Sequence, residues 1–262
     1  MTRSIVLVHA VRSSSTMWRG QVKRLERAGF QVITPDLPGH GTRSAEVFTQ
    51  EGALSTIGEA VSAADEPPLL GGLSLGGYLA IHWAAQHPGR LAALVAADCT
   101  IIPGPALARA YGYWLRMKDW APGDSDARVR QAFAKRARKR KAAKRYYGGG
   151  RAHGVVPAVV DVVGTMDLLA DLAAIDVPIT IVNGRQDPFR RHERQILMAA
   201  PGARLRVLDR AGHISNLDRP KRFTRVLREA AHHAGERREH QAGERHRHLA
   251  SGHRGHDSSH LS

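Results

Sequence analysis

Short runs of apolar and β-branched residues alternate with amphipathic segments along most of the chain. Such runs predict buried strands, and apolar positions spaced by three or four residues predict helices. The predicted strands cover Ile5–Val8, Gln31–Thr34, Leu69–Leu73, Leu91–Ala97, Ile179–Asn183 and Leu205–Leu208. The predicted helices cover Met17–Ala28, Ala53–Ala64, Gly76–His87, Arg190–Ala199 and Lys221–His232. Strands that alternate with helices indicate an α/β fold, a mostly parallel sheet of about six strands with flanking helices.

The alternation is interrupted between residues 101 and 174, which divides the chain into three parts. Residues 1–100 and 175–233 are predicted to form the α/β core. Residues 101–174 are rich in Ala, Arg, Lys and Tyr and predict a helical cap, inserted above the edge of the sheet where ligands bind in open α/β folds. Residues 234–262 are dominated by Gly, Glu, Arg, His and Ser, and we expect them to be disordered.

The chain carries a formal net charge of +15 and one cysteine, Cys99. An internal disulfide is therefore impossible, which favours a reducing compartment. The apolar run at the N-terminus is too short for a signal peptide, and no stretch has the length of a transmembrane segment. The sequence predicts a cytoplasmic protein, in which Cys99 is a buried packing residue.

Eleven Arg or Lys residues and no acidic residue lie between Arg128 and Arg151. One interpretation is a solvated basic face on a helix of the cap. The other is a docking surface for an anion: an acidic acyl carrier protein, the phosphates of coenzyme A or an anionic lipid surface. No known nucleic-acid-binding module is present, so nucleic acid is not an expected partner.

The residues from Gly72 to Gly76 match the pattern G-x-S-x-G, with Ser74 at its centre. Small residues flank the serine because a strand must turn into a helix within a few residues, and this turn lifts the hydroxyl above the sheet. The motif alone is weak, but here a predicted buried strand precedes it and a predicted helix follows it. The sequence therefore predicts Ser74 as a nucleophile.

A serine hydroxyl needs a base within hydrogen-bond distance, and the base needs a third group to orient it. His213 follows the last predicted strand, and Asp187 follows the strand before it. The order Ser, Asp, His along the chain fits this kind of site. We predict His213 as the general base and Asp187 as the acid. Asp98, which also follows a strand, is the alternative acid.

An acyl-transfer site also needs donors for the oxyanion. We expect the backbone N–H of Leu75, which follows the nucleophile, and that of Val11, in the loop after the first strand. Ala10 and Ser14 of the same loop, and Trp114 of the cap, are the predicted substrate-binding residues. The aromatic residues of the cap favour an apolar or aromatic acyl group.

Several segments together resemble the α/β-hydrolase superfamily, in its branch of small, cap-bearing serine esterases. The matching segments span residues 5–228, and they are Val6–His9, Trp18, Pro35–Gly41, Gly72–Gly76, Gly184 with Asp187, and Gly212–His213. The resemblance implies the α/β-hydrolase fold and the Ser, Asp, His site, but no particular substrate. The sequence departs from this branch at Ala10, where glycine is usual, and at Leu73, where His or Gln is frequent.

The resemblance implies hydrolysis of a carboxylic ester, lactone or thioester of a small-molecule acyl substrate. The alternative is an acyltransferase or lyase that uses the same residues, including on a substrate linked to a carrier protein or coenzyme A. A binding protein built on a hydrolase fold is the third hypothesis. None of these reactions calls for a cofactor or a metal in this fold.

Overall fold

The structure is a computed structural model and describes residues 2–104, 106, 109–110, 112–113, 140–150, 152 and 154–235. Its six strands are β1 Ser4–Val8, β2 Gln31–Ile33, β3 Leu69–Leu73, β4 Ala93–Ala97, β5 Ile179–Gly184 and β6 Arg204–Leu208. They form one sheet in the order β2-β1-β3-β4-β5-β6, with every neighbouring pair parallel. The predicted fold class, a mostly parallel sheet of about six strands with flanking helices, is confirmed.

The described helices cover both faces of the sheet and extend over its edge. In chain order they are α1 Arg19–Glu26, α2 Gln50–Ser62, α3 Leu75–Gln86, α4 Arg140–Tyr146, α5 Val156–Gly164, α6 Leu168–Ala174, α7 Glu193–Ala199, α8 Ser215–Asp218 and α9, residues 220–235. Side-chain caps define two of their starts. The Thr49 hydroxyl accepts a hydrogen bond from the N–H of Gly52 at the start of α2, and the Asp167 carboxylate accepts one from Ala170 at the start of α6.

Successive side chains of a strand point to opposite faces of a sheet. In β1, Val6 and Val8 belong to an apolar cluster with residues of α2 and α3, such as Ile57. Ile5 and Leu7 belong to a second cluster, with residues of α1 and α9 such as Phe223. The strand is buried along its whole length. This explains why it is read in the sequence as a continuous apolar run rather than as an alternating one.

All six strands run in the same direction, so the loops that follow them emerge at one edge of the sheet. This arrangement brings together residues that are far apart in the sequence. Ser74 follows β3, Asp98 follows β4, Asp187 follows β5 and His213 follows β6. None of the helices in the described part of the chain is both long and apolar enough to span a bilayer.

Candidate active site

Ser74 occupies a sharp turn between β3 and α3. Its backbone has a positive φ, at φ 54° and ψ −116°, which is strained for a residue with a side chain. The flanking glycines are required by close contacts. A Cβ on Gly72 would lie 2.0 Å from the carbonyl oxygen of Gly76, and one on Gly76 would lie 2.3 Å from that of Val8. The small residues of the motif therefore allow the turn that presents the hydroxyl.

Three predicted catalytic side chains form one hydrogen-bonded chain. The Nε2 atom of His213 lies 3.1 Å from Oγ of Ser74, and its Nδ1 atom lies 3.0 Å from Oδ2 of Asp187. A carboxylate only accepts hydrogen bonds, so Nδ1 carries the proton and Nε2 is free to accept one from the serine. The Asp187 side chain is 1% exposed, and its Oδ1 accepts a hydrogen bond from the N–H of Phe189.

Asp98 lies next to this chain but has a different set of partners. Its Oδ1 accepts a hydrogen bond from the N–H of Gly184 at 2.9 Å, and its Oδ2 accepts one from the N–H of Ser215 at 3.1 Å. Burial raises the pKa of Asp98 to about 7, against the opposing effect of the nearby His213. Because His213 Nδ1 lies within hydrogen-bond distance of Asp187, and both oxygens of Asp98 bind backbone N–H groups, the geometry favours Asp187 as the partner of the histidine.

The loops that carry Asp187 and His213 are in direct backbone contact. The N–H of Gln186 donates to the carbonyl of Ala211 at 2.8 Å. A Cβ on Gly184 would lie 2.2 Å from the carbonyl oxygen of Gly212, so only glycine fits there. Asp98 joins the same two loops through its two hydrogen bonds. The acid and the histidine are therefore held by contacts among the segments that follow β4, β5 and β6.

Polar side chains join the loop after β1 to the loop after β2. His9 Nε2 accepts a hydrogen bond from the N–H of Leu37, and His40 Nε2 accepts one from the N–H of Arg12. Asp36 Oδ1 accepts one from the N–H of Ser15 at 2.6 Å. Burial lowers the pKa of His9 to about 3 and also lowers that of His40. Both imidazoles are therefore neutral near pH 7 and can accept these hydrogen bonds.

An apolar cavity of about 120 Å³ opens beside Ser74 and His213. Four valines of α5 at helical spacing form one wall, since residues three, four and seven apart share a face of a helix. None of the described residues that line the cavity is an Arg or a Lys. The lining residues are Val11, Ser74, Leu75, Tyr78, Asp98, Ile101, Pro103, Val156, Val159, Val160, Val163, Phe189 and His213.

The structure brings the two predicted oxyanion-hole residues to this cavity but not the predicted substrate-binding residues of the same loop. Val11 and Leu75 both line it. Ala10 is 1% exposed and packs in the apolar cluster with α1 and α9. Ser14 is fully buried, and its hydroxyl accepts a hydrogen bond from the N–H of Thr16 and caps a short 3-10 helix. Trp114 lies outside the described residues.

Other residues at the site were not singled out from the sequence. Tyr78 lines the cavity, and its hydroxyl donates to the carbonyl of Ile101 at 2.8 Å. The ring of Phe189 packs edge-on against the His213 ring, with centroids 4.7 Å apart. The valine spacing of α5 was the one signal present in the sequence, but on its own it indicates only a helix face that contacts apolar groups. The single thiol, Cys99, is 1% exposed, and burial raises its pKa.

Comparisons with known proteins agree with this architecture. A family model described as "Alpha/beta hydrolase family" matches residues 5–226. A pimeloyl-[acyl-carrier protein] methyl ester esterase of Nitrosospira multiformis is 25% identical over 251 residues, covering 84% of this chain and 90% of that protein.

Two solved structures have the same fold. A thermophilic esterase from Thermogutta terrifontis superposes with a TM-score of 0.70 at 24% identity, covering 88% of this chain and 90% of that chain. An enol-lactonase from Burkholderia xenovorans superposes with a TM-score of 0.68 at 23% identity, covering 87% and 91%. Since the family model spans most of the sequence, from β1 to α9, the chain belongs to the alpha/beta hydrolase family.

Proposed function

We propose that the protein hydrolyses a carboxylic ester, lactone or thioester through an acyl-enzyme on Ser74. The observation that carries the proposal is the unbroken hydrogen-bonded chain from Ser74 Oγ through the His213 imidazole to Asp187, at 3.1 Å and 3.0 Å. An imidazole oriented by a carboxylate on one nitrogen and by a hydroxyl on the other is what makes a serine a nucleophile.

In the proposed mechanism, Ser74 Oγ attacks the acyl carbonyl carbon while His213 Nε2 takes the hydroxyl proton. Asp187 stabilises the imidazolium that forms. The N–H groups of Val11 and Leu75 stabilise the negative charge on the carbonyl oxygen, and Leu75 is suited to this because an N–H in the first turn of a helix has no partner within it. His213 then donates its proton to the leaving group. A water molecule, activated by His213, releases the acyl group from Ser74.

The cavity supports an uncharged acyl group as the substrate class. Its described walls are formed mainly by apolar side chains, including the four valines of α5. With no Arg or Lys among them, a carboxylate on the acyl chain would be desolvated without a partner, which is costly. A compact, neutral aliphatic acyl group fits the volume of about 120 Å³.

The basic segment supports an acidic carrier protein as the source of the acyl group. Eleven Arg or Lys residues lie between Arg128 and Arg151, and a relative is described as acting on a pimeloyl-[acyl-carrier protein] methyl ester. Complementary charge speeds such an encounter and orients the partner. The coenzyme A moiety of a thioester would be attracted by the same charge. A cytoplasmic location, where such acyl carriers are found, is part of this proposal.

The first experiment is labelling with a fluorophosphonate probe, which reacts with activated serines. We expect the wild-type protein to be labelled and Ser74→Ala not to be. Ser44→Ala, at an exposed serine, is the matched control and should be labelled like the wild type. With a panel of p-nitrophenyl esters and acyl thioesters, Ser74→Ala should lose on the order of 10³-fold or more in kcat/KM. A wild-type protein that is folded and is not labelled would contradict the proposal.

A further inference from the structure

One peptide unit next to the proposed oxyanion hole is held at both of its polar groups. The carbonyl oxygen of Val11 and the N–H of Arg12 belong to the same planar unit. The Tyr146 hydroxyl donates a hydrogen bond to the Val11 carbonyl at 2.8 Å. His40 Nε2 accepts a hydrogen bond from the Arg12 N–H at 3.4 Å. The two side chains come from different parts of the chain, and together they fix the orientation of this unit.

The peptide unit on the other side of Val11 is also held. The Ala10 carbonyl accepts hydrogen bonds from the N–H of Ser13 at 3.2 Å and from His9 Nδ1 at 2.9 Å. This unit carries the N–H of Val11, the proposed oxyanion donor. Because the units on both sides of Val11 are fixed, the direction of its N–H depends on every one of these contacts. Of them, only the contact from Tyr146 comes from the segment that we predict to be the cap.

The loop needs such restraints because its backbone is strained. Arg12 has φ of 62°, a left-handed conformation that residues with side chains rarely adopt. Strained backbone persists when surrounding contacts outweigh its cost. In addition, this chain has alanine at position 10, where the resemblance leads one to expect glycine. The geometry of this loop therefore depends on groups outside it.

Tyr146 is well placed to act as such a group, because the end of α4 is docked on the same loop. Ser13 Oγ donates a hydrogen bond to the Tyr146 carbonyl at 2.9 Å. Thr16 Oγ1 donates one to the Arg145 carbonyl at 2.6 Å. With the hydroxyl of Tyr146, three hydrogen bonds join α4 to residues 11–16. The docked end of α4 therefore holds the Tyr146 hydroxyl next to the Val11 carbonyl.

We propose that Tyr146 is a positioning residue for the oxyanion hole: its hydroxyl, bound to the Val11 carbonyl, aims the Val11 N–H at the developing oxyanion. The proposal rests on the proposed function, because it assigns Val11 as an oxyanion donor.

The test compares Tyr146→Phe with the wild type, since this change removes only the hydroxyl. The rate of Ser74 phosphonylation at saturating fluorophosphonate, and kcat for a p-nitrophenyl ester, should each fall about tenfold. KM should change by less than about twofold, because the ground-state contacts with substrate are intact. The affinity for a boronic acid, whose tetrahedral adduct places an oxygen in the oxyanion hole, should fall by the same factor as kcat.

Thr16→Val is the matched control. It removes a hydrogen bond between the same two segments but leaves the Tyr146 contact with Val11 in place. We expect its phosphonylation rate to stay within about twofold of the wild-type rate. All variants are compared below the onset of thermal unfolding, which is measured for each.

Wild-type rates in Tyr146→Phe would overturn the proposal, as would an equal loss in Thr16→Val, which would indicate docking of α4 in general rather than the hydroxyl. A rise in KM without a fall in kcat would also overturn it. These outcomes are distinct from failure of the proposed function, in which the wild-type protein itself would not be labelled at Ser74.

Discussion

The two sides of the proposed active site are held in place in different ways. The acid–histidine side consists of Asp98 and residues 184–189 and 211–215, and its contacts are among loops that follow adjacent strands of one sheet. The proposed oxyanion side consists of residues 9–13, which are held by the loop after β2 and by the end of α4. Among the described residues, the contacts that hold the acid and the histidine come from loops at the edge of the sheet, whereas the proposed oxyanion loop also has contacts from α4.

Gly184→Ala should disrupt the acid–histidine side and have the largest effect among the substitutions that test this comparison. The new Cβ would lie 2.2 Å from the carbonyl oxygen of Gly212, so the two loops must move apart. A displacement of about 1 Å in a catalytic group can cost about 100-fold in rate, and we expect a loss of that order in kcat/KM. The measurement is steady-state kinetics on a p-nitrophenyl ester.

Gly154→Ala is the control for this change, because its Cβ would meet no atom within 4 Å. It should retain wild-type kinetics. If Gly184→Ala kept more than about a third of the wild-type kcat/KM, the close approach of the two loops would not be what places the acid and the histidine.

Asp98→Asn should weaken the same side by a smaller amount. The amide oxygen of asparagine can accept one of the two backbone hydrogen bonds, but its NH₂ group would face the other N–H donor. A buried donor left without a partner costs about 1–3 kcal/mol. We expect kcat/KM to fall about tenfold, with Asp65→Asn, at an exposed position, as the control for the substitution itself.

Asp98 also predicts how stability depends on pH. Burial raises its pKa in the folded protein from 3.8 to about 7, so between these values the folded state binds the proton more tightly than the unfolded state. The contribution of Asp98 to stability is therefore complete below about pH 4 and is lost as the pH rises through 7. The difference in melting temperature between the wild type and Asp98→Asn should therefore become smaller as the pH is raised from 4 to 8. If this difference in melting temperature did not change with pH, the raised pKa of Asp98 would be contradicted.

Val160→Ala changes the cavity wall rather than either of these two sides, and we expect it to have the smallest effect on activity. The change removes two methyl groups from the α5 wall of the cavity while leaving the acid, the histidine and the oxyanion loop intact. One methylene in an apolar pocket changes binding by about 1–3 kcal/mol, and relaxation of the wall reduces this. We expect the ratio of kcat/KM for longer over shorter p-nitrophenyl acyl esters to rise about fivefold.

The matched control is Val162→Ala, on the same helix but outside the cavity lining. An equal change of acyl preference in both variants would show that the helix is loosened as a whole, and the specific role of position 160 would be lost.

The sheet was predictable because most of its strands are apolar runs, but the bounds of the strands and helices depend on distant contacts. The strand that was predicted to begin at Leu91 begins at Ala93 in the structure. Ala93 pairs with Leu69, the first residue of β3, and two prolines precede Leu69. The predicted helix from Arg190 begins at Glu193. The residues just before this helix form other hydrogen bonds instead. The N–H of Arg190 donates to the Asp187 carbonyl, and the N–H of His192 donates to the Thr100 carbonyl.

The segment after β1 shows the same limit. The predicted helix from Met17 to Ala28 is a 3-10 turn, Ser15–Trp18, followed by α1 from Arg19 to Glu26. The Ser14 side chain caps the turn, and Thr16 binds Arg145, which is 129 residues away. A contact between residues so far apart cannot be predicted from the local periodicity of the sequence.

The positions of Ser74, Asp187 and His213 could be predicted because each follows its own strand, and the order of strands in the chain brings them to one edge. The proposed role of Tyr146 and the position of the α5 valines beside the cavity could not be predicted. The hydroxyl of Tyr146 meets a backbone carbonyl 135 residues away, and no motif marks a tyrosine for such a contact. The spacing of the valines predicts an apolar helix face, but this spacing is the same whether the face packs on the core or lines a substrate cavity.

The buried Cys99 gives this molecule an intrinsic probe of its own conformational fluctuations. Its sulfur lies against α3 close enough that a Cβ on Gly77 would approach it to 2.6 Å, and burial keeps the thiol protonated. A thiol reagent reacts with the thiolate and needs access to it, so it can modify only molecules in which the contact between β4 and α3 has opened. Since the chain has no other cysteine, the rate of this reaction reports how often the structure beneath the nucleophile opens, without any label being introduced.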